Sequence, residues 1–357
     1  MRCSIDLDRR GKHEGCVQLN HSNNRHAYGV IPLPIGVIAG DTGPTVLLTA
    51  GNHGDEYEGI VILQRLFHDL DPDQVRGRII FMPSLNLPAV REYQRTSPLD
   101  GANMNRVFGD PALSGPTREI AGFVEETLIP QADFAIDLHS GGKICEFSPC
   151  GFIYGIGDKE RLQNKIRAAH HFGARYTAVV EGSQGSFSAA GERAGIVMLS
   201  AELGGGRIQR ENIEIGYTGT ANTLAGWGLL NHSPQDTQTT FLRSGFAGSS
   251  VMSPVAGAFE PLTSVGQAVK TGEAVGRIHS LDALDQPPVT VCVESAGIVL
   301  GQRAQAHVLR GDFLLHLGEE VEESQLLEPV SLKGIPHRHS PVTAGTTGKD
   351  TNDGRLP

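Results

Sequence analysis

The chain has 357 residues, 39% hydrophobic and 20% charged, the make-up of a globular protein large enough for a sizeable core and a catalytic domain plus a smaller one. Thirty Lys and Arg against 40 Asp and Glu leave a formal charge of −10; this excludes a general phosphate-backbone binder, and neither a basic patch nor a nucleic-acid motif interrupts that balance. MRCSIDLDRR lacks the apolar core of a secretory signal, no stretch approaches the ~18 apolar residues of a membrane span, and the five cysteines are too scattered for a disulfide framework, so the expectation is a cytoplasmic protein with reduced thiols and neither membrane nor nucleic-acid partners.

Residues 1–40 read as an N-terminal arm in which Pro32 and Pro34 disfavour helix and suggest extended chain or edge strands. Residues 45–50 (TVLLTA) form a short apolar strand, and from Glu58 the spacing of Ile60, Leu63, Phe67 and Leu70 predicts a helix. Between them lies the turn Gly51-Asn52-His53-Gly54-Asp55-Glu56. Residues 78–85 follow as a buried strand, and 86–106 as a long irregular loop of the kind that carries function. Residues 116–128 read as a helix, 133–138 as a strand ending at His139, 147–156 as a strand, and Lys159–Phe172 as a helix stopped by Gly173. After a short strand at 177–181, residues 196–201 form a core strand ending at Glu202, and a helix over 212–230 closes a catalytic domain spanning 41–232. Strands alternating with helices predict an α/β fold with a mainly parallel sheet covered on both faces. Beyond Asn231, short segments punctuated by glycine predict a small all-β domain over 240–320, and residues 333–357 have the composition of a disordered tail.

His53 and Glu56 thus stand at the carboxyl end of one strand, His139 at the end of a second and Glu202 at the end of a third, where α/β sheets place their ligand sites. An HxxE triplet alone is a pattern that chance produces often. Convergence of three strand ends is more specific. Two imidazoles and one carboxylate are a standard ligand set for catalytic Zn²⁺, with a fourth position for a water acidified to a pKa of about 7. A separate carboxylate must then take the water's proton and pass it to the leaving amine, and Glu202 is the candidate. Asp137, two residues before His139 on the same strand face, is placed to orient a ligand imidazole.

In that order, GNHGDE, LNLPAV, DGANMNRVFGD, DLHSGG and AELGGG resemble the succinylglutamate desuccinylase/aspartoacylase family, zinc acylases on a carboxypeptidase-A-like fold. The resemblance covers roughly residues 30–320. It implies Zn²⁺ on His53, Glu56 and His139, Glu202 as general base and then acid, and Asn105 with Arg106 holding the carboxylate of a small N-acyl amino acid, for which a guanidinium fork is suited. For Arg95 it implies polarisation of the scissile carbonyl or stabilisation of the oxyanion, with Arg91 nearby as the alternative. Within the family, the arm, DGANMNRVFGD and the carboxyl β domain look closest to the branch that deacetylates Nα-acetyl-L-2,4-diaminobutyrate. Such a substrate carries a side-chain ammonium, for which Glu146, Asp110 and Glu181 are candidate partners. The alternatives are another deacylase, of the aspartoacylase or succinylglutamate desuccinylase type, or a carboxypeptidase on the same ligands.

The 240–320 segment resembles a biotinyl/lipoyl barrel-sandwich, with VKTGEAVGRIHS followed by VTVCVESAGIVLG. The hairpin that would present an attachment lysine reads Val293-Glu294-Ser295-Ala296-Gly297, without one. A role in shaping the pocket mouth or a homo-oligomer contact is therefore expected rather than a carrier. His170, His171, His279, His307 and His316 fit no ligand spacing and are expected at the surface or in packing.

Overall fold

The structure is a computed structural model that describes residues 1–327 apart from 25, 156–157, 181–183 and 236. The tail at 333–357 and Glu181 lie outside the described residues.

Alternation of apolar side chains decides the centre of the molecule. In the Asp41–Ala50 strand, Val46, Leu48 and Ala50 point to one side and Leu47 to the other, and all are fully buried. A sheet apolar on both faces needs cover on both. On one face Val46, Leu48, Phe81 and Ile136 pack with Ile62, Leu63 and Leu66 of the Glu58–Asp69 helix, and the Lys159–Phe172 and Arg210–Gly226 helices extend that layer. On the other face Leu47, Ile80, Met82 and Ala135 meet Ile120, Val124 and Leu128 of the helical run that begins at Pro116, together with Phe187 of the Phe187–Ala194 helix.

The strands Arg76–Met82, Asp41–Ala50, Phe134–His139 and Val197–Glu202 lie side by side and parallel, in that order. Cys150–Tyr154 joins antiparallel to Val197–Glu202, and Tyr176–Val180 and Thr240–Arg243 continue parallel to it. Thr49 lies opposite Asp137 and Glu202 opposite His139, so three strands finish at one edge. The single strand expected over 147–156 is two, Cys145–Phe147 and Cys150–Tyr154, because Pro149 between them has no N–H for a ladder. The first pairs with Gly297–Arg303 instead.

The N-terminal arm is a hairpin of Gly11–Asn23 with His26–Ala39, joined to Arg76–Met82 through residues 36–39. Pro32 and Pro34, opposite Gln18 and Cys16, occupy the part of the strand with a neighbour on one side only, where a missing N–H breaks no ladder. At the far end, Thr240–Arg243 pairs with Phe313–Glu320, which carries Gly297–Arg303, so the main sheet runs on into the antiparallel carboxyl region. A second sheet, containing Ala274–His279 and Gly257–Pro261, closes over Val275, Ile278, Val299 and Leu317 to form a sandwich. Among the described residues no helix is long and apolar enough to cross a membrane.

Two glycines shape the turn at 51–56. Gly51 has φ of +67°, in the left-handed region, and a Cβ on Gly54 would sit 2.0 Å from the carbonyl carbon of Ala89 in the Leu87–Arg91 helix. Gly54→Ala is expected to cost about 1–3 kcal/mol by overpacking. Urea unfolding measures this, and an unchanged midpoint would show that the Leu87–Arg91 helix yields freely.

Candidate metal centre and its cavity

The Glu56 carboxylate reaches both imidazoles, with Oε1 2.7 Å from His53 Nδ1 and Oε2 2.7 Å from His139 Nδ1. The far ring nitrogens have their own acceptors: His139 Nε2 is 2.8 Å from Asp137 Oδ2, and His53 Nε2 is 3.2 Å from Asn103 Oδ1. Those acceptors favour Nε2–H on each ring and so turn both Nδ1 atoms toward Glu56. Asp137 is itself oriented by Thr49 Oγ1 at 2.7 Å and Asn52 Nδ2 at 3.3 Å. One donor atom from each of His53, Glu56 and His139 lies within 4.8 Å of the others, and all three residues are buried.

Burial alone would raise the Glu56 carboxyl, but the two imidazoles beside it hold it well below the usual carboxylate range. For His139 burial opposes the charged form, yet the Asp137 and Glu56 carboxylates prevail and push it well above the usual imidazole range. Two imidazole nitrogens and a carboxylate, converging in a buried nook with partners for the distal nitrogens, fit a divalent metal ion. A second observation agrees: Glu202 Oε2, on the residue opposite His139, is buried with no hydrogen-bond partner among the described residues. Burial, and then repulsion from Glu56, push the Glu202 carboxyl up to about 8, against the pull of His139 and Arg95.

A cavity of about 600 Å³ opens from this cluster, a volume typical of small-ligand sites. Its floor follows the strand period: Met198, Ser200 and Glu202 alternate along one strand, Phe152 and Tyr154 along the next. Ser186 caps the Phe187–Ala194 helix and lies 2.5 Å from Tyr154 Oη, while Ser188 Oγ lies 2.8 Å from Ser200 Oγ. The long loop supplies Arg95, Asn105 and Arg106. Arg95 Nη1 donates to Glu56 Oε1 at 3.1 Å; Asn105 Oδ1 accepts from Phe187 N at 2.8 Å; Arg106 is exposed and donates to the Asn105 carbonyl at 2.6 Å.

The structure therefore brings together His53, His139, Glu202, Arg95, Asn105 and Arg106 around one cavity, with Glu56 between the histidines. Arg91 does not line it. Of the candidate ammonium partners, Glu146 instead accepts from Gln209 Nε2 at 3.1 Å and Asp110 is exposed, and neither lines the cavity. Asn103, which contacts His53, and Ser244, which lines the cavity, are residues that the sequence reading does not name. Asn103 sits two residues before Asn105 inside DGANMNRVFGD, where an Asn-x-Asn pattern was the available signal. His316, expected at the surface or in packing, lines the cavity instead, and its one signal is a lone polar residue within FLLHLG.

Residues 42–226 match the succinylglutamate desuccinylase/aspartoacylase catalytic domain. The chain is 35% identical over 325 residues to the N-alpha-acetyl-L-2,4-diaminobutyric acid deacetylase of Halomonas elongata, covering 89% of this chain and 95% of that protein. A product-bound structure of the ectoine utilization protein EutE (DoeB) from Ruegeria pomeroyi superposes with a TM-score of 0.86 at 35% identity, covering 89% of this chain and 98% of that one. A succinylglutamate desuccinylase/aspartoacylase from Rhodobacter sphaeroides gives 0.85 at 34% identity, covering 90% and 99%.

Asp137→Asn is expected to weaken metal binding about 10- to 100-fold. Titration against a chromophoric chelator reads this, and an unchanged affinity would remove Asp137 from the site. Glu202 makes a separate prediction. With its carboxyl raised to about 8 in the folded chain, the folded state keeps a proton that the unfolded chain releases near 4.5, so this group withdraws stability as pH climbs through that window. In chelator-treated protein, the melting temperature of Glu202→Gln relative to the parent should rise between pH 5 and pH 8. A difference independent of pH would show a carboxyl that ionises normally.

Proposed function

We propose, because this chain belongs to the succinylglutamate desuccinylase/aspartoacylase family, that it is a zinc-dependent amidohydrolase acting on small N-acyl amino acids. The substrate assigned to it is Nα-acetyl-L-2,4-diaminobutyrate, hydrolysed to L-2,4-diaminobutyrate and acetate. The observation that carries this reading is the His53, Glu56 and His139 cluster beside Glu202 at the floor of one cavity. Likeness to the Halomonas elongata deacetylase supports the choice of substrate.

His53, Glu56 and His139 would hold a zinc ion, which when bound would supply Lewis acidity at the floor of the cavity. Glu202 takes the proton of the attacking water as the C–O bond forms, and returns it to the amide nitrogen as the C–N bond breaks. Burial raises the Glu202 carboxyl, and a nearby metal cation would draw it back down, toward the working pH at which a carboxylate can both take and return a proton. Arg95, already at the edge of the cluster, faces the charge that develops on the carbonyl oxygen. Asn105 and Arg106 orient the substrate carboxylate. Asp137 and Asn103 keep the two imidazoles turned inward.

The competing reading is a different deacylase, or a carboxypeptidase, on the same ligands. Turnover of acetyl-diaminobutyrate, acetyl-aspartate, succinyl-glutamate and short peptides, on stripped and zinc-restored protein, separates them. The first substrate should be fastest, and only after zinc is restored; a clear preference for acetyl-aspartate would move the assignment. Glu202→Gln should lower kcat about 100- to 10,000-fold with zinc content unchanged. Near-normal turnover by that variant would remove Glu202 from the mechanism.

A further inference from the structure

The carboxyl β region, which takes no part in the reaction as derived above, reaches into the cavity at one place. Ser244 and Gly245, directly after the Thr240–Arg243 strand, and His316, within Phe313–Glu320, form part of its wall. Ser244 Oγ lies 2.5 Å from His316 Nε2, and Ser250 Oγ lies 3.2 Å from His316 Nδ1. The Ser244 side chain is buried, and its backbone N–H is committed to the Val179 carbonyl at 3.0 Å. Two hydroxyls therefore hold the imidazole from both sides, in an orientation set by strand pairing rather than by a ligand.

Burial pulls His316 below the ordinary imidazole range, so the ring is neutral near physiological pH. A neutral imidazole has one lone pair on nitrogen, and a serine hydroxyl oxygen has two. The imidazole spends its lone pair on one of the two hydroxyls in either tautomer, which leaves Ser244 Oγ as an acceptor at the cavity wall with no positive charge beside it. Charge sorts the rest of the cavity differently. Arg95 and Arg106 are cations, a divalent metal adds to them, and an ammonium is driven away from that side. Glu202 is the one carboxylate among the described lining residues, and proton transfer occupies it.

We propose that Ser244, held in place by His316, forms the subsite that determines specificity for the substrate's side-chain ammonium, which donates a hydrogen bond to Ser244 Oγ. The inference deepens the deacetylase reading and rests on it. It gives the carboxyl β region a direct part in substrate choice while the metal, the base and the carboxylate clamp come from the α/β portion.

The test compares Nα-acetyl-L-2,4-diaminobutyrate with Nα-acetyl-L-norvaline, in which a methyl group replaces the ammonium, on the zinc-loaded full chain. His316→Leu and Ser244→Ala are each expected to raise KM for the first substrate about 10- to 100-fold, as loss of a hydrogen bond to a charged group does. Its kcat should stay within a few-fold, and kcat/KM for the norvaline compound should not fall. His316→Gln retains a hydrogen-bonding partner for Ser244 and should recover most of the affinity. Equal losses on both substrates would overturn the proposal by making the pair a framework element, and no loss on either would overturn it by leaving the ammonium to another group. The parent enzyme tests the underlying reading separately. If it prefers acetyl-aspartate to the ammonium substrate, the substrate assignment and this inference fall together; if it prefers the ammonium substrate and both variants keep that preference, the inference alone falls.

Discussion

Glu56 places its carboxylate 2.7 Å from an imidazole nitrogen of its own turn and 2.7 Å from one on another strand, at a point where the side chain is almost completely buried. A buried carboxylate without compensation is costly, so this contact constrains everything around it. Asp41–Ala50 and Phe134–His139 must pair in parallel in the observed register. A slip of one residue would carry His139 and Asp137 to the opposite face of the sheet. The same register lets Thr49 orient Asp137, and lets Asp137 orient His139 from two residues away.

The other supports of the site are local ties with the same purpose. The glycine-rich turns that follow His139 and Glu202 bind one another, Gly141 N donating to Gly204 O at 2.9 Å and Gly206 N to Gly142 O at 2.7 Å. These bonds clamp the strand that ends at His139 to the strand that ends at Glu202. The long loop is anchored where Asp100 accepts from Thr117 N at 2.9 Å and where Asn105 accepts from Phe187 N. Behind the cavity floor the fully buried Lys165 is paired with Glu192 and donates to the Tyr154 carbonyl at 3.0 Å. A buried pair of this kind contributes little net stability, but removing either partner would strand a charge beneath the cavity floor.

The carboxyl β region is continuous with this arrangement through the pairing of Thr240–Arg243 with Tyr176–Val180 on one side and Phe313–Glu320 on the other. That continuity brings a polar wall, Ser244 and His316, to the cavity that His53, His139, Glu202 and Arg95 also line. On the proposed function, reaction chemistry and substrate reading would be separated in space and joined by one sheet. An ammonium and a carboxylate on the same small molecule can then be held apart, each facing groups of suitable charge.

The sequence alone made the candidate cluster and Glu202 beside it legible, because the signals are local: an apolar strand followed by HxxE, a second strand ending in Asp-x-His, and a third ending in Glu. Strand period and glycine-bearing turns are properties of a few neighbouring residues, so the strand ends, the helices between them and His53, Glu56, His139 and Glu202 could be read in order, whereas Arg95, Asn105 and Arg106 were singled out only through the family resemblance. Ordered motifs likewise carried the family. Tertiary structure alone decided which groups face one another: that Asn103 caps His53, that Glu146 and Asp110 lie away from the cavity, and that His316 lines it. These are matters of register and loop path between segments far apart in the chain. No local pattern encodes them, because they depend on which strand a given edge pairs with and on which side chain the shared core then turns toward the cavity.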